Sequence, residues 1–289
     1  MAITELTERD KKLFNLLSLA GVIKTDQAKL AYGNVSKYHI RRIERLASEG
    51  LITRENGYIR MTAKGMRLAG VENNLRIAKH RYKEQAITVD LMTQFPDWDF
   101  TLAIHLKRKQ VIENGAQVNA FLKINNTKYG VYILTNVPRK KTLQILKTEM
   151  TNLRLIDIER ILAFYTNPKI AEAFYETELP SGVQELCLLP YPAGVSYFKQ
   201  LYNPEFHSFV KERFPNLSSS NRPFAHFEWR DAFITVLFHN DLIKRYYLEE
   251  YLKYAQKREG RRCIVITTPE ATSFAPAGVE IVPYTIKGG

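Results

Sequence analysis

The feature that most restricts the fold is a short helical run, residues 35–49, that stops at a glycine and leads directly into a hairpin signal. Ile40, Ile43 and Ala47 recur at the 3.6-residue spacing of one helix face, which is typical of a helix packed against a core. Gly50 stands just past this run, at the position where glycine commonly ends a helix. The spacing therefore predicts an amphipathic helix with a defined end.

A β-hairpin is predicted immediately after that glycine. Residues 51–53 and 58–60 are short strand-like runs, and Asn56-Gly57 between them is among the strongest signals for a two-residue hairpin turn. A helix followed so closely by a hairpin is compatible with few architectures.

Two further helices are predicted before this segment. Residues 7–18 read as a helix in which Thr7 caps the first turn and Asp10 completes a capping box. A second, short helix is expected at 25–32, capped by Thr25 and ended at Gly33. Three helices followed by a hairpin predict a winged helix-turn-helix domain, in which the third helix enters the DNA major groove.

The expected DNA contacts come from the third helix and the hairpin, and they are Lys37, Tyr38, Arg41, Arg42, Arg45, Arg54 and Arg60. On the helix, Arg41 and Arg45 are placed to read guanine edges, while Lys37 and Arg42 on the flanks are expected to contact phosphates. The hairpin arginines are also expected to contact phosphates. The alternatives are a basic face that is merely solvated, or a protein partner.

Net charge supports a polyanionic partner. The chain of 289 residues carries a formal charge of +12 and has a pI near 9.5. Residues 1–70 hold 13 Lys and Arg against 7 Asp and Glu, so half of that excess lies in about a quarter of the chain. A positive field favours binding to nucleic acid, although a generally basic surface without that function would have the same net charge.

The N-terminal sequence also carries a family resemblance. The run "LTERDKKLFNLLSLAGVIKTDQ" followed by "IRRIERLASEGLI" resembles the winged-helix domains of bacterial transcription regulators and the start of the replication-relaxation family of plasmid and mobile-element proteins. The resemblance covers residues 6 to about 70. It implies a role in replication, conjugative mobilisation or regulation of a mobile element.

Beyond residue 70 the sequence predicts a connecting helix and a mixed α/β domain. The helix is expected at about 72–94, ended by Pro96, so that the domains are 1–70, 71–95 and 96–289. In the last of these, the order strand, strand, helix, strand occurs twice. No residue-level repeat accompanies it. The fold class is therefore α/β with an N-terminal winged helix.

This strand and helix order is similar to that of the restriction-endonuclease-like fold, which some mobilisation relaxases combine with a winged helix. The resemblance implies a metal held by an Asp and by a Glu/Asp-x-Lys motif on adjacent strands. Asp97, Asp99 and Lys123 are in place, but Phe121 occupies the acidic position. A phenyl ring cannot bind a metal, so the sequence predicts either a degenerate, non-catalytic version of this fold or another fold.

Other patterns give no catalytic, metal or cofactor site. The densest polar run contains His226, Glu228, Asp231, His239 and Asp241. We interpret it as an exposed strand face, a turn and a helix N-cap, although His226 and Glu228 could share a metal. Tyr247, Tyr251 and Tyr254 have helical spacing and are interpreted as packing residues rather than relaxase nucleophiles. Phosphate-binding and dinucleotide-binding glycine motifs are absent from the sequence.

The remaining features bear on compartment and function. No run of about 18 apolar residues and no signal peptide are present, and two cysteines are too few for a disulfide framework, so a cytoplasmic protein without membrane contact is expected. The sequence predicts a double-stranded DNA-binding, homo-oligomeric transcriptional regulator of a plasmid, phage or conjugative element. The alternatives are a relaxase- or nuclease-like enzyme, or a replication or mobilisation accessory, acting at an origin.

Overall fold

The computed structural model describes residues 5–33, 37–72 and 75–286, and has a mixed α/β fold. The chain divides into two compact units, an N-terminal unit, Met1–Asp97, and a C-terminal unit, Trp98–Gly289. Within the described residues, every helix is too short or too polar to cross a bilayer.

The N-terminal unit contains five α-helices and three strands among its described residues: α1 (Glu8–Ala20), β1 (Ile23–Lys24), α2 (Lys29–Tyr32), α3 (Tyr38–Ser48), β2 (Ile52–Glu55), β3 (Tyr58–Met61), α4 (Ala63–Ala69) and α5 (Tyr82–Gln94). The predicted hairpin is confirmed, since β2 pairs antiparallel with β3 around Asn56 and Gly57, which both have positive φ. The two-residue strand β1 also pairs with β3, giving the antiparallel order β1-β3-β2. Strand β1 was not predicted from the sequence.

Helix α1 begins as predicted. The Thr7 hydroxyl oxygen accepts a hydrogen bond from the Asp10 amide, and the Thr7 amide donates back to the Asp10 carboxylate at 2.9 Å. The helix packs its buried face, which includes Leu13 and Leu17, into the core of the unit. The capping box therefore fixes where the first core-forming helix starts.

The second and third helices differ in detail from the prediction. The second begins as a 3-10 helix, Thr25–Ala28, and Thr25 does not cap it; its amide and hydroxyl instead donate to the Gly57 carbonyl. The predicted start of the third helix, residue 35, lies outside the described residues. Its described part has Ile43 and Leu46 fully buried, whereas Ile40 and Ala47 are only half-buried.

The helix predicted at 72–94 is shorter than expected. Residues 75–78 are not helical, a 3-10 turn covers Lys79–Arg81, and the α-helix begins at Tyr82. This helix packs within the N-terminal unit, because Val89 joins its core and the Gln27 amide group donates to the Ala86 carbonyl at 2.7 Å. In the structure, α5 is thus part of the N-terminal unit rather than a separate connecting segment.

The first sheet of the C-terminal unit and its helices run from residue 99 to residue 190: β4 (Asp99–Leu102), α6 (Ala103–Arg108), β5 (Ala120–Ile124), β6 (Thr127–Leu134), α7 (Lys140–Asn152), β7 (Arg160–Tyr165), α8 (Pro168–Tyr175) and β8 (Glu185–Pro190). A 3-10 turn, Leu153–Ile156, follows α7. Strand β4 ends at Leu102, and the chain turns there into α6.

The second sheet and its helices follow: α9 (Gly194–Gln200), α10 (Pro204–Arg213), β9 (Ser218–Ser219), β10 (Phe227–Trp229), β11 (Ala232–Val236), α11 (Leu242–Tyr254), α12 (Gln256–Glu259), β12 (Arg262–Thr267) and β13 (Glu280–Pro283). A 3-10 helix, Pro269–Phe274, lies between the last two strands. Strands β10 and β11 pair antiparallel as a hairpin.

The two sheets have the same topology. Each has five strands in sequence order, with two antiparallel pairings followed by two parallel pairings. In both sheets a helix, α7 or α11, connects the third strand to the parallel fourth strand. The repeated order predicted from the sequence is therefore present, and it extends to strand direction.

The sheets meet through the segment that follows β11. Asn240 and Asp241 lie beside β8, where the Leu188 amide donates to the Asn240 carbonyl at 3.2 Å and Cys187 forms an isolated antiparallel bridge with Asp241. Asp241 then caps α11 as predicted, accepting from the Ile243 amide at 3.0 Å. The seam between the sheets is thus held by backbone pairing and by a helix cap.

Candidate nucleic-acid interface

One face of α3 presents the residues that the sequence singled out. Lys37, Tyr38, Arg41 and Arg45 are all exposed. Tyr38, Arg41 and Arg45 are three and four residues apart, which places them along one side of the helix, and Lys37 directly precedes its first turn. The opposite side of the helix supplies buried side chains to the core, so the basic side is oriented outward by packing.

Tyr38 is fixed at the start of this face. Its ring meets that of buried Tyr32 edge-on, with 5.9 Å between centroids, and the Arg9 guanidinium lies 5.8 Å from the Tyr38 ring. The ring is still 41% exposed. An aromatic side chain held in this way keeps one surface for contact with a partner at little entropic cost.

Arg42 has a different role from the one the sequence predicted. Its side chain is only 12% exposed, and both its Nε, at 2.9 Å, and one terminal nitrogen donate to the Asp10 carboxylate. A guanidinium engaged in a bidentate pair with a buried carboxylate is not available to a phosphate. We therefore remove Arg42 from the interface and assign it to the stability of the unit.

The network around Asp10 joins the first three helices of the chain, α1, α2 and α3. Asp10 is fully buried and also accepts from the Thr7 hydroxyl at 2.7 Å and from the Tyr32 hydroxyl at 2.8 Å. Burial by itself raises the pKa of Asp10, but the hydrogen bonds from Arg42, Thr7 and Tyr32 outweigh it and hold the pKa below its ordinary value. The carboxylate is therefore charged and attaches α3 to α1.

Sequence reasoning missed this network for an identifiable reason. The predicted core face of α3 was Ile40, Ile43 and Ala47, whereas the buried residues are His39, Ile43 and Leu46. Arg42 lies three residues after His39 and four before Leu46, so it borders the buried face. A helix wheel centred on these residues would have separated Arg42 from Arg41 and Arg45.

The hairpin adds two arginines with acidic neighbours. Arg54 lies 3.7 Å from Glu44 of α3, and Arg60 lies 3.7 Å from Glu55. Both arginine side chains are 39% exposed, and ion pairs this open contribute little to stability. A phosphate could therefore replace these carboxylates as the partner of either arginine at small cost.

The positions examined for nuclease chemistry do not assemble a metal centre. Asp97 and Asp99 are exposed, and neither belongs to a cluster of potential metal ligands in the part of the chain that the structure describes. Phe121 packs in the core of the first sheet, and Lys123 lies opposite Asp99 across β4 and β5. Phe121 is thus a packing residue at the position where the chemistry needs a carboxylate.

The polar run between residues 226 and 241 separates into surface and buried groups. Glu228 accepts from Arg261 at 3.0 Å and Asp231 from Arg262 at 3.1 Å, as expected of an exposed strand and turn. His239, by contrast, is fully buried. The interpretation of this run as an exposed strand face is therefore wrong for His239.

The tyrosines of α11 also differ from the prediction. Tyr251 packs in a core cluster as expected, but Tyr247 and Tyr254 are 43% and 64% exposed. The packing interpretation is therefore wrong for the latter two. Exposure alone does not make a nucleophile, because a tyrosine hydroxyl must be activated by a base or a metal.

Comparison with known proteins adds no relative: no protein-family model and no curated protein sequence matches the chain.

Proposed function

We propose that the N-terminal unit is a winged helix-turn-helix domain that binds double-stranded DNA, with α3 as the helix that enters the major groove. The order of its elements supports this architecture, because three helices precede a β-hairpin. The pairing of β1 with the hairpin gives further support, since it attaches the hairpin to the chain between α1 and α2.

The observation that carries the proposal is that the arginines of α3 face in different directions. Arg41 and Arg45 are exposed on the outer face, and Lys37 precedes them, while Arg42 is turned inward to hold the helix on Asp10. A recognition helix needs both properties, since base contacts require outward side chains on a helix that does not shift.

Specific roles follow from position. Arg41 and Arg45 carry sequence discrimination, because side chains at the centre of a groove-bound helix reach base edges. Arg54 and Arg60 flank the hairpin turn and carry affinity through phosphates, as does Lys37. Tyr38 packs against the sugar-phosphate backbone from its fixed position beside Tyr32.

For the whole chain, we propose a homo-oligomeric transcriptional regulator of a plasmid, phage or conjugative element, with the C-terminal unit serving assembly or ligand sensing. The alternative is a relaxase- or nuclease-like enzyme, or a replication or mobilisation accessory, at an origin. One observation favours that alternative: both sheets have the strand, helix, strand connectivity of the restriction-endonuclease-like resemblance. Phe121 weighs against catalysis.

DNA binding by the full chain tests the proposal. Fluorescence anisotropy is measured on duplexes from the protein's own upstream region and on shuffled duplexes, at two salt concentrations. Arg41→Ala and Arg45→Ala should each reduce the preference for the upstream duplex by about 1–3 kcal/mol. Arg54→Ala should weaken binding to both duplexes alike. It should also lower the slope of log affinity against log salt concentration, the salt slope, by about 1. Arg213→Ala, which removes an equal charge from α10, is the control.

Two outcomes would contradict the assignment. If Arg41→Ala and Arg45→Ala bind both duplexes as wild type does, α3 is not the reading helix. If supercoiled plasmid carrying the upstream region is nicked in Mg²⁺ or Mn²⁺, and Asp97→Ala or Asp99→Ala abolishes the nicking, the enzyme alternative replaces the regulator.

A further inference from the structure

Three potential metal ligands meet inside the C-terminal unit, at the seam between its sheets. Glu185 and Cys187 lie on β8, and His239 lies in the segment after β11. The Cys187 Sγ is 3.2 Å from Glu185 Oε1, and His239 Nε2 is 3.9 Å from the same oxygen. One ligand atom of each residue falls within 4.8 Å of the others.

The cluster is buried and its polar groups are incompletely paired. Cys187 and His239 have no exposed surface, and Glu185 is 7% exposed. Neither ring nitrogen of His239 has a hydrogen-bond partner among the described residues. Buried polar atoms are nearly always satisfied, so a buried imidazole with two unused nitrogens beside a thiol and a carboxylate calls for a further group.

We propose that Glu185, Cys187 and His239 bind a structural Zn²⁺ ion. Carboxylate, thiolate and imidazole are all zinc ligands, at about 2.0–2.3 Å from the metal. Tetrahedral angles at those bond lengths separate the ligand atoms by about 3.4–3.6 Å. The two distances to Glu185 Oε1 lie within a few tenths of an ångström of that range, and the sulfur and imidazole nitrogen, within 4.8 Å of each other, would close to it on binding.

Backbone pairing fixes the positions of the ligands. Residues 185 and 187 of β8 project to the same side of the strand. The segment carrying His239 is held alongside by the Cys187–Asp241 bridge and by the Leu186 amide, which donates to Asp241 Oδ1 at 3.1 Å. Such a preformed arrangement lowers the cost of assembling the site around a metal.

Glu185 is also oriented by a second set of contacts. The Tyr129 hydroxyl donates to Glu185 Oε2 at 3.4 Å and lies 2.7 Å from the Tyr202 hydroxyl, while Arg160 is 3.9 Å from the same carboxylate oxygen. These contacts engage Oε2 and leave Oε1 toward Cys187 and His239. Partners of this kind commonly hold ligands in place at metal sites.

Zinc binding requires a neutral imidazole and a thiolate. On binding, zinc displaces the thiol proton of Cys187 to solvent. Three protein ligands leave a fourth position, to be filled by water.

The consequence is a cross-link between the two repeats. Glu185 and Cys187 belong to the last strand of the first sheet, and His239 belongs to the chain that leaves the third strand of the second. A metal bound to all three would secure the seam in the way that disulfides secure secreted proteins.

Metal content of the full-length protein tests the proposal. The chain is purified without chelator and its zinc is measured by mass spectrometry, before and after stripping and reloading with Zn²⁺. About one zinc per chain is expected, with a higher unfolding midpoint when loaded. Cys187→Ser and His239→Gln should lose most of the zinc. The controls Cys263→Ser, at a second buried cysteine, and His207→Gln, at an exposed histidine, should retain it.

A second measurement avoids dependence on the folding of variants. Cobalt replaces zinc in the stripped wild-type protein, and a thiolate ligand gives an intense sulfur-to-cobalt charge-transfer absorption. Its appearance with one equivalent of Co²⁺ supports the site. The proposal is overturned if folded wild-type protein holds no zinc after reloading, if the cobalt protein lacks this absorption, or if Cys187→Ser binds zinc as tightly as Cys263→Ser.

Discussion

Replacing Arg42 with methionine should destabilise the N-terminal unit without removing a DNA contact. Methionine has a similar length and is a good helix former, so α3 itself is not weakened. What is lost is the bidentate donation to Asp10, which leaves a buried carboxylate with only the Thr7 and Tyr32 hydrogen bonds.

The magnitude follows from burial. Asp10 has no exposed surface and the Arg42 side chain is 12% exposed, so solvent screens the pair little. Removing one member of a buried ion pair typically costs about 3–5 kcal/mol, because the other charge stays buried and unpaired. The lower end applies here, at about 3 kcal/mol, since other donors still reach the carboxylate.

Hydrogen exchange measured by mass spectrometry suits this prediction. Both tryptophans, Trp98 and Trp229, lie in the C-terminal unit, so tryptophan fluorescence does not report on the N-terminal one. Peptides from α1 and α3 report the stability of the N-terminal unit directly. A loss of about 3 kcal/mol should speed their exchange about a hundredfold, at 1.4 kcal/mol per factor of ten.

Two further variants make the result decisive. Arg41→Met removes an exposed charge from the same helix and should change stability by less than about 0.5 kcal/mol. Asp10→Asn combined with Arg42→Met removes both charges and should recover part of the loss. If Arg42→Met exchanges no faster than Arg41→Met but binds DNA more weakly, Arg42 contacts phosphate and the structural assignment is refuted.

Three other outcomes are expected. Because the pKa of Asp10 is held below its ordinary value, its stabilising effect is present above about pH 4 and is lost as the pH falls through the depressed value. The protection of α1 amides, corrected for their slower intrinsic exchange in acid, should therefore fall with pH in the wild type and much less in Asp10→Asn. Glu44→Gln, which removes the acid facing the hairpin, should tighten binding to all duplexes and steepen the salt slope by up to about 1 in anisotropy titrations. Gly65→Ala places a methyl group against the Leu51 carbonyl and should cost about 1–3 kcal/mol in chemical denaturation, whereas Gly115→Ala, with open space around it, should be neutral.

Local signals with a defined hydrogen-bond geometry were predictable from the sequence. The Thr7 and Asp10 capping box, the Asn56-Gly57 turn and the Asp241 cap are all present as expected. Each involves residues no more than three positions apart, so the pattern and the contact occupy the same short window.

Elements whose identity depends on distant partners were not predictable. Strand β1 is two residues long and exists because Ile23 pairs with Ile59. The end of β4 at Leu102 likewise depends on pairing with β5. Leu102 lies opposite Ala120, the residue at which β5 begins. A short apolar run carries no periodicity that distinguishes a strand from a helix.

The candidate zinc cluster shows the same limit at a functional level. Glu185 and Cys187 are separated by one residue, so in a strand their side chains project to the same side. This spacing indicates a metal site only if a third ligand faces that side. That ligand, His239, follows the hairpin of the second sheet and is brought to β8 by the bridge between Cys187 and Asp241. In the sequence, the polar residues near His239 are Glu228, Asp231 and Asp241. None of them belongs to the cluster, whose other members lie about 50 residues earlier. The repeated topology therefore had to be known before the ligands could be grouped, because the site lies where one repeat meets the other.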